Sequence, residues 1–80
     1  MHEVIYDKKA ADFLKKLPAR ISERIVRKIS KAKETPFRFF ERLEGRADYK
    51  LRIGSYRAIA DITPTRIQVT KIGHRKDIYK

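Results

Sequence analysis

Between Asp48 and Asp61 the chain reads Asp-Tyr-Lys-Leu-Arg-Ile-Gly-Ser-Tyr-Arg-Ala-Ile-Ala-Asp, two alternating runs on either side of Gly54-Ser55. Gly followed by Ser is the composition of a type II′ turn, the two-residue loop whose twist matches a β-hairpin. Such a loop leaves no freedom of register. Ile53 must lie opposite Tyr56, Arg52 opposite Arg57, Leu51 opposite Ala58 and Lys50 opposite Ile59, because side chains alternate faces along a strand. Lys50, Arg52 and Arg57 therefore share one face, and Leu51 and Ile53 point the other way. Like charges directly opposite cost up to about 1 kcal/mol. Either an anion such as phosphate or carboxylate offsets that cost, or the charges splay into water or pair with Glu41, Asp48 or Asp61.

The rest of the chain supplies what a hairpin needs to bury one face. Val4-Ile5-Tyr6 is a short β-prone run, ended by Asp7, which can cap the next helix. Ala10, Phe13, Leu14 and Leu17 recur at helical spacing up to Pro18, which can itself begin a second helix. In that second helix Ile21, Ile25, Ile29 and Ala32 form an apolar stripe, widened by Ser22 and Val26. Arg20, Glu23, Arg24, Arg27, Lys28 and Lys31 fill its remaining surface, either as a solvated face or, through Arg27 and Lys28, as a second surface for nucleic acid.

Glu34-Thr35-Pro36 breaks the helix. Phe37, Phe39 and Phe40 follow, and they read as core anchors of an irregular connection more readily than as a base-stacking platform. Beyond the hairpin, Thr63-Pro64-Thr65-Arg66 reads as a turn that sets Ile62 opposite Ile67 and Ala60 opposite Val69. Parity then fails, with Lys71 inward and Ile72 outward, unless a bulge near Thr70 or Lys71 restores it. The resulting expectation is an α+β fold over residues 1–80 as one domain, in the order β-α-α-β-β-β, with a helical hairpin on one face of a largely antiparallel sheet.

Charge narrows the class of partner. Lys and Arg number 21 against 10 Asp and Glu, a net charge of +11 spread evenly over both halves of the chain. That is the footprint of a protein that meets nucleic acid or an acidic protein, and it excludes a basic tail as the source of the charge. There is no cysteine, no apolar run of membrane-spanning length and no signal-peptide pattern at the N-terminus, so a cytoplasmic protein without disulfides or a membrane association is expected. No His, Asp or Glu cluster has ligand spacing, and neither a metal nor a small-molecule cofactor is expected.

Three short motifs complete the reading: Leu43-Glu-Gly45, Lys50-Leu-Arg52-Ile-Gly54-Ser-Tyr56-Arg57, and the terminal His74-Arg75-Lys76-Asp-Ile-Tyr79. Their order and spacing resemble the RelE/ParE family of toxins from prokaryotic type II toxin–antitoxin modules, over essentially the whole chain. In its RelE branch the resemblance implies an endoribonuclease that enters the ribosomal A site and cuts mRNA by 2′-hydroxyl attack on the adjacent phosphate, held in check by a RelB-like antitoxin that wraps around it. Carried over by position, it implies Lys50 as general base, Arg52 at the phosphate, Arg57 as the transition-state arginine, Arg75 near the leaving group and Tyr79 orienting or stacking on the substrate. Arg27, Lys28, His74 and Lys76 are then candidates for RNA or ribosome contact, with His74 also open to a structural or acid–base role. The ParE branch instead implies a DNA gyrase poison, and a non-catalytic basic nucleic-acid-binding module is a third reading.

Overall fold

A computed structural model describes residues 2–79. Strand β1 (Glu3–Tyr6) leads into helices α1 (Lys8–Lys16) and α2 (Ala19–Ala32), a single-turn α3 (Pro36–Phe39), and strands β2 (Glu41–Arg42), β3 (Tyr49–Ile53), β4 (Tyr56–Ile62) and β5 (Arg66–His74). The strands form one sheet in the order β1-β5-β4-β3-β2. β1 runs parallel to β5, which the long connection through the helices and β2–β4 permits, and every other pairing is antiparallel.

The hairpin register is the expected one: Arg52 pairs with Arg57, Leu51 with Ala58 and Lys50 with Ile59. Gly54 has φ of 59°, and among the described residues no non-glycine residue takes positive φ. A type I′ turn would need positive φ at Ser55 as well, so the loop is type II′. The bulge also falls where parity requires it. Ile59 pairs with Lys71 and Ala60 with Val69, leaving Thr70 extra, and the Thr70 hydroxyl donates to Ile59 O at 3.3 Å. Ile72 thereby returns to the inward face and is buried.

Both long helices lie on that inward face. Ala10 of α1 and Ile25, Ile29 and Ala32 of α2 are buried against Leu51, Ile53, Ala58, Ala60, Ile67 and Val69. Full burial of a side chain such as Ile25 contributes about 1.5–3 kcal/mol, so this one layer supplies most of the drive to fold. Among the described residues, no helix is long and apolar enough to cross a membrane.

Four local expectations need correcting. Asp7 stands at the α1 N-cap without a side-chain cap; its N–H donates to Val69 O, tying it to the sheet edge, and its carboxylate accepts from Gln68 Nε2 at 2.8 Å. Pro18 sits just outside α2, its carbonyl accepting from the N–H groups of Ile21 and Ser22. The connection after α2 is partly regular, with Pro36 at the first position of α3 and β2 pairing with Tyr49 and Lys50. Of the three phenylalanines there, Phe40 is buried and Phe39 half-buried against the core, whereas Phe37 is 62% exposed.

Candidate functional site

Of the cations predicted to act together, Arg52 and Arg57 flank the tip of the β3–β4 hairpin. Direct pairing puts Arg52 and Arg57 on the same face, away from Leu51 and Ile53. Arg57 does not extend toward Arg52. Its Nη1 donates to Gly54 O and Tyr56 O, both at 2.8 Å, so carbonyl dipoles of the turn hold the guanidinium and relieve the cross-strand repulsion. Arg57 can donate five hydrogen bonds in all, and among the described residues Nε and Nη2, the fork that meets phosphate or carboxylate side-on, remain uncommitted.

The end of β5 is fastened to the same turn, since Arg75 N–H donates to Ser55 O at 2.8 Å. From α2 comes a residue that the sequence reading left on a solvated face. A Cβ placed on Gly54 would lie 3.0 Å from Arg24 Nη2, so the Arg24 guanidinium rests directly on the turn glycine. Gly54 is thus required twice, for its positive φ and for this approach. Arg24, Arg27, Lys28 and Lys31 follow one another at helical spacing. Together with Arg52, Ile53 and Gly54 they line a groove of about 240 Å³ that contains five cations and no carboxylate. It runs beside the part of β3 that β2, pairing only with Tyr49 and Lys50, leaves as an open sheet edge. The spacing of the four α2 cations was the available signal for this groove; that they face the hairpin is a tertiary fact.

Lys50 shares the face of Arg52 and Arg57 but stands apart from the tip, half-buried between Ile59 on β4 and Glu41 on β2. Ion pairs among the described residues join Lys8 to Asp12 and Arg46 to Asp48, so no salt bridge neutralises Arg24, Arg52 or Arg57. Ile59, which would invite a partner's cover if bare, is only 3% exposed. Beside it the chain folds back over its own sheet: Lys71 Nζ donates to Ile78 O at 2.9 Å, and Ile78 packs so closely on Gly73 that a Cβ there would meet its Cδ1 at 3.0 Å.

His74 takes the opposite face. Pairing with Tyr56 turns it toward the helices, where it stands edge-on to the Tyr56 ring at 5.7 Å, and Tyr56 in turn meets Phe13 at 6.3 Å. Its carbonyl accepts the N–H groups of Asp77 and Ile78, and Nδ1 accepts from Lys76 N–H at 3.2 Å, which assigns the ring proton to Nε2. His74 therefore organises the terminal turn that carries Arg75, Lys76 and Tyr79, all exposed, with Tyr79 at 52%. The structure brings Arg52, Arg57 and Arg75 to one tip, adds Arg24, joins Arg27 and Lys28 to it through the groove, and separates His74 from it. Among the described residues, no group of three or more His, Asp or Glu side chains could hold a metal ion. Guanidinium groups fixed by backbone carbonyls and close packing can bind and stabilise a phosphoryl group without one.

The family model described as ParE toxin of the type II toxin–antitoxin system, parDE, matches residues 4–79. No curated protein sequence is a match. Among solved structures, the toxin–antitoxin complex RelBE2 from Mycobacterium tuberculosis is similar, with 26% identity and a TM-score of 0.81, over 92% of this chain and 98% of that one. The YoeB/ParE toxin from Agrobacterium tumefaciens has 25% identity and a TM-score of 0.74, again over 92% and 98%. The intact RelBE toxin–antitoxin complex of E. coli shares the fold at 20% identity, with a TM-score of 0.77 over 92% of this chain and 96% of that one. With a family model spanning nearly the whole chain and RelE folds superposing on it, the chain belongs to the RelE/ParE toxin family of type II toxin–antitoxin systems.

Proposed function

We propose that this toxin is a ribosome-dependent mRNA endoribonuclease that cleaves without a metal ion and so inhibits translation, and that an antitoxin resembling RelB restrains it. The observation that carries the reading is the hairpin tip, where Arg52 and Arg57 pair across the strands while Arg75 is fastened to Ser55 and Arg24 lies on Gly54. A phosphorane-like transition state gathers negative charge on its equatorial oxygens, and fixed cations stabilise that charge without reorganising. In the proposed reaction Lys50 takes the 2′-hydroxyl proton as the oxygen attacks the adjacent phosphorus. Arg52 and the Nε–Nη2 edge of Arg57 hold the phosphoryl oxygens. Arg75 assists departure of the 5′-oxygen, and Tyr79 stacks on the scissile nucleotide. Lys50 sits two residues along the strand from Arg52, about 7 Å away, a span that one nucleotide linkage can bridge. Arg27 and Lys28, with Lys76 in the terminal turn, contact RNA phosphates; His74 acts by shaping that turn.

A second reading has its own support. The matching family model carries the ParE description, which favours a gyrase poison using the same basic surface. The two part in one experiment: purified protein is added to a translating extract, the 5′ ends of the mRNA are mapped, and gyrase supercoiling is measured in parallel. Ribosome-dependent cuts support the nuclease; intact mRNA with blocked supercoiling supports the poison.

A further inference from the structure

Phe37 is the most exposed large apolar side chain among the described residues, at 62%, and nothing in the hairpin-tip chemistry uses it. It is not a stray surface ring. It packs on Tyr49 with centroids 5.3 Å apart and planes tilted by 58°, and the Arg42 guanidinium lies 6.0 Å from the Tyr49 ring. On the other side of α3, Lys28 stands 5.8 Å from the Phe39 ring. Lys28 also lines the basic groove with Arg24, Lys31 and Arg52. From Arg24 at the hairpin tip, the cations of α2 advance about 10 Å to Lys31, and through Lys28 they meet α3 at Phe39, two residues from Phe37.

Resting on the RNA reading above, we propose that Phe37, backed by Tyr49 and Arg42, is a stacking platform for an unpaired base of an RNA strand whose phosphates lie in the α2–β3 groove. Cations tracking a backbone and an aromatic face for a base are the two components of single-strand recognition. A purely apolar partner surface would not call for the five cations and no carboxylate of the groove that touches α3 through Lys28. Because Phe37 is exposed and outside the core, its replacement should leave the fold intact, which melting temperature checks.

The chain has no Trp, so Phe37→Trp makes a single reporter at the site. The probe is a uridine-rich single-stranded RNA 12-mer carrying one 2-aminopurine, titrated at fixed low salt. Wild-type protein should quench the 2-aminopurine; Phe37→Trp should retain binding, with its own emission quenched by RNA. Phe37→Leu, which keeps apolar bulk but loses the π face, should weaken binding about 5- to 100-fold and abolish the quench. Lys31→Ala, at a groove cation, should chiefly lower the salt slope, by about one, when the titration is repeated over a range of salt. Wild-type affinity and quenching in Phe37→Leu would overturn the platform while leaving the RNA reading standing; no RNA binding by wild type would also overturn the platform, and the 5′-end map in a translating extract decides the nuclease reading separately. Antitoxin affinity lost in Phe37→Ala and restored in Phe37→Leu, with RNA binding unmoved, would assign the ring to the protein partner instead.

Discussion

Gly54→Ala perturbs the turn and the cation cluster at one atom. At φ of 59° an L-residue brings its Cβ against the following carbonyl, which costs roughly 1–2 kcal/mol. The new methyl would also start 3.0 Å from Arg24 Nη2. That group is the end of a flexible side chain, so it moves aside at little cost to stability but leaves its place over the turn. In a chain of this size each kcal/mol shifts the melting temperature by about 4–8 °C, so a fall of about 5–15 °C is expected. Gly45→Ala is the matched control. Gly45 has φ of 72° with nothing within 4 Å of an added Cβ, so it carries the backbone cost without displacing anything. Both variants should melt lower by similar amounts in a calorimetric scan. Only Gly54→Ala should also lose cleavage per folded molecule. A Gly54→Ala protein that melts within about 2 °C of wild type would refute the type II′ turn, and equal activity in the two variants would remove Arg24 from the site.

Arg57→Ala should lower single-turnover cleavage at saturating ribosome by on the order of 10²-fold or more, with ribosome affinity little changed, because the charge it meets develops in the transition state. Arg27→Ala and Lys28→Ala should show the reverse: weaker binding, each reducing the salt slope by about one, and near-normal cleavage once bound. Burial raises the Tyr6 phenol above its ordinary value, so the folded state holds that proton more tightly than the unfolded chain does. Its contribution is complete below pH about 10 and is lost as pH rises through the folded value, so the alkaline fall in melting temperature should be shallower in Tyr6→Phe.

Period-two alternation around a two-residue Gly-Ser loop is a local code, and it made the Arg52–Arg57 pairing, the inward Leu51 and the outward Lys50 legible in the sequence. The Thr70 bulge was legible for the same reason, since a parity conflict between Val69 and Ile72 has few remedies. Contacts between distant segments were not. Nothing local to Arg24 says that it will rest on Gly54, and nothing local to Ile59 says that the chain will cover it beside Lys71. Asp7 illustrates competition: a residue type suited to capping α1 was taken by Gln68, 61 positions away. Phe37 was read with Phe39 and Phe40 as an anchor because composition cannot distinguish three rings on one short segment. The turn of α3 aims them differently, leaving one in the core, one beside it and one in solvent. The residue roles given to Lys50, Arg52, Arg57, Arg75 and Tyr79 come from family resemblance, and the geometry adds where those groups stand.

The most direct test of the proposed chemistry is the 5′-end map of a translated mRNA after addition of purified toxin, read with and without active ribosomes and against Arg57→Ala. The account predicts discrete cuts at codons in the A site, lost when translation is blocked and reduced by about 10² in the variant. Uncut message in a translating extract, together with inhibited gyrase supercoiling by the same preparation, would contradict it.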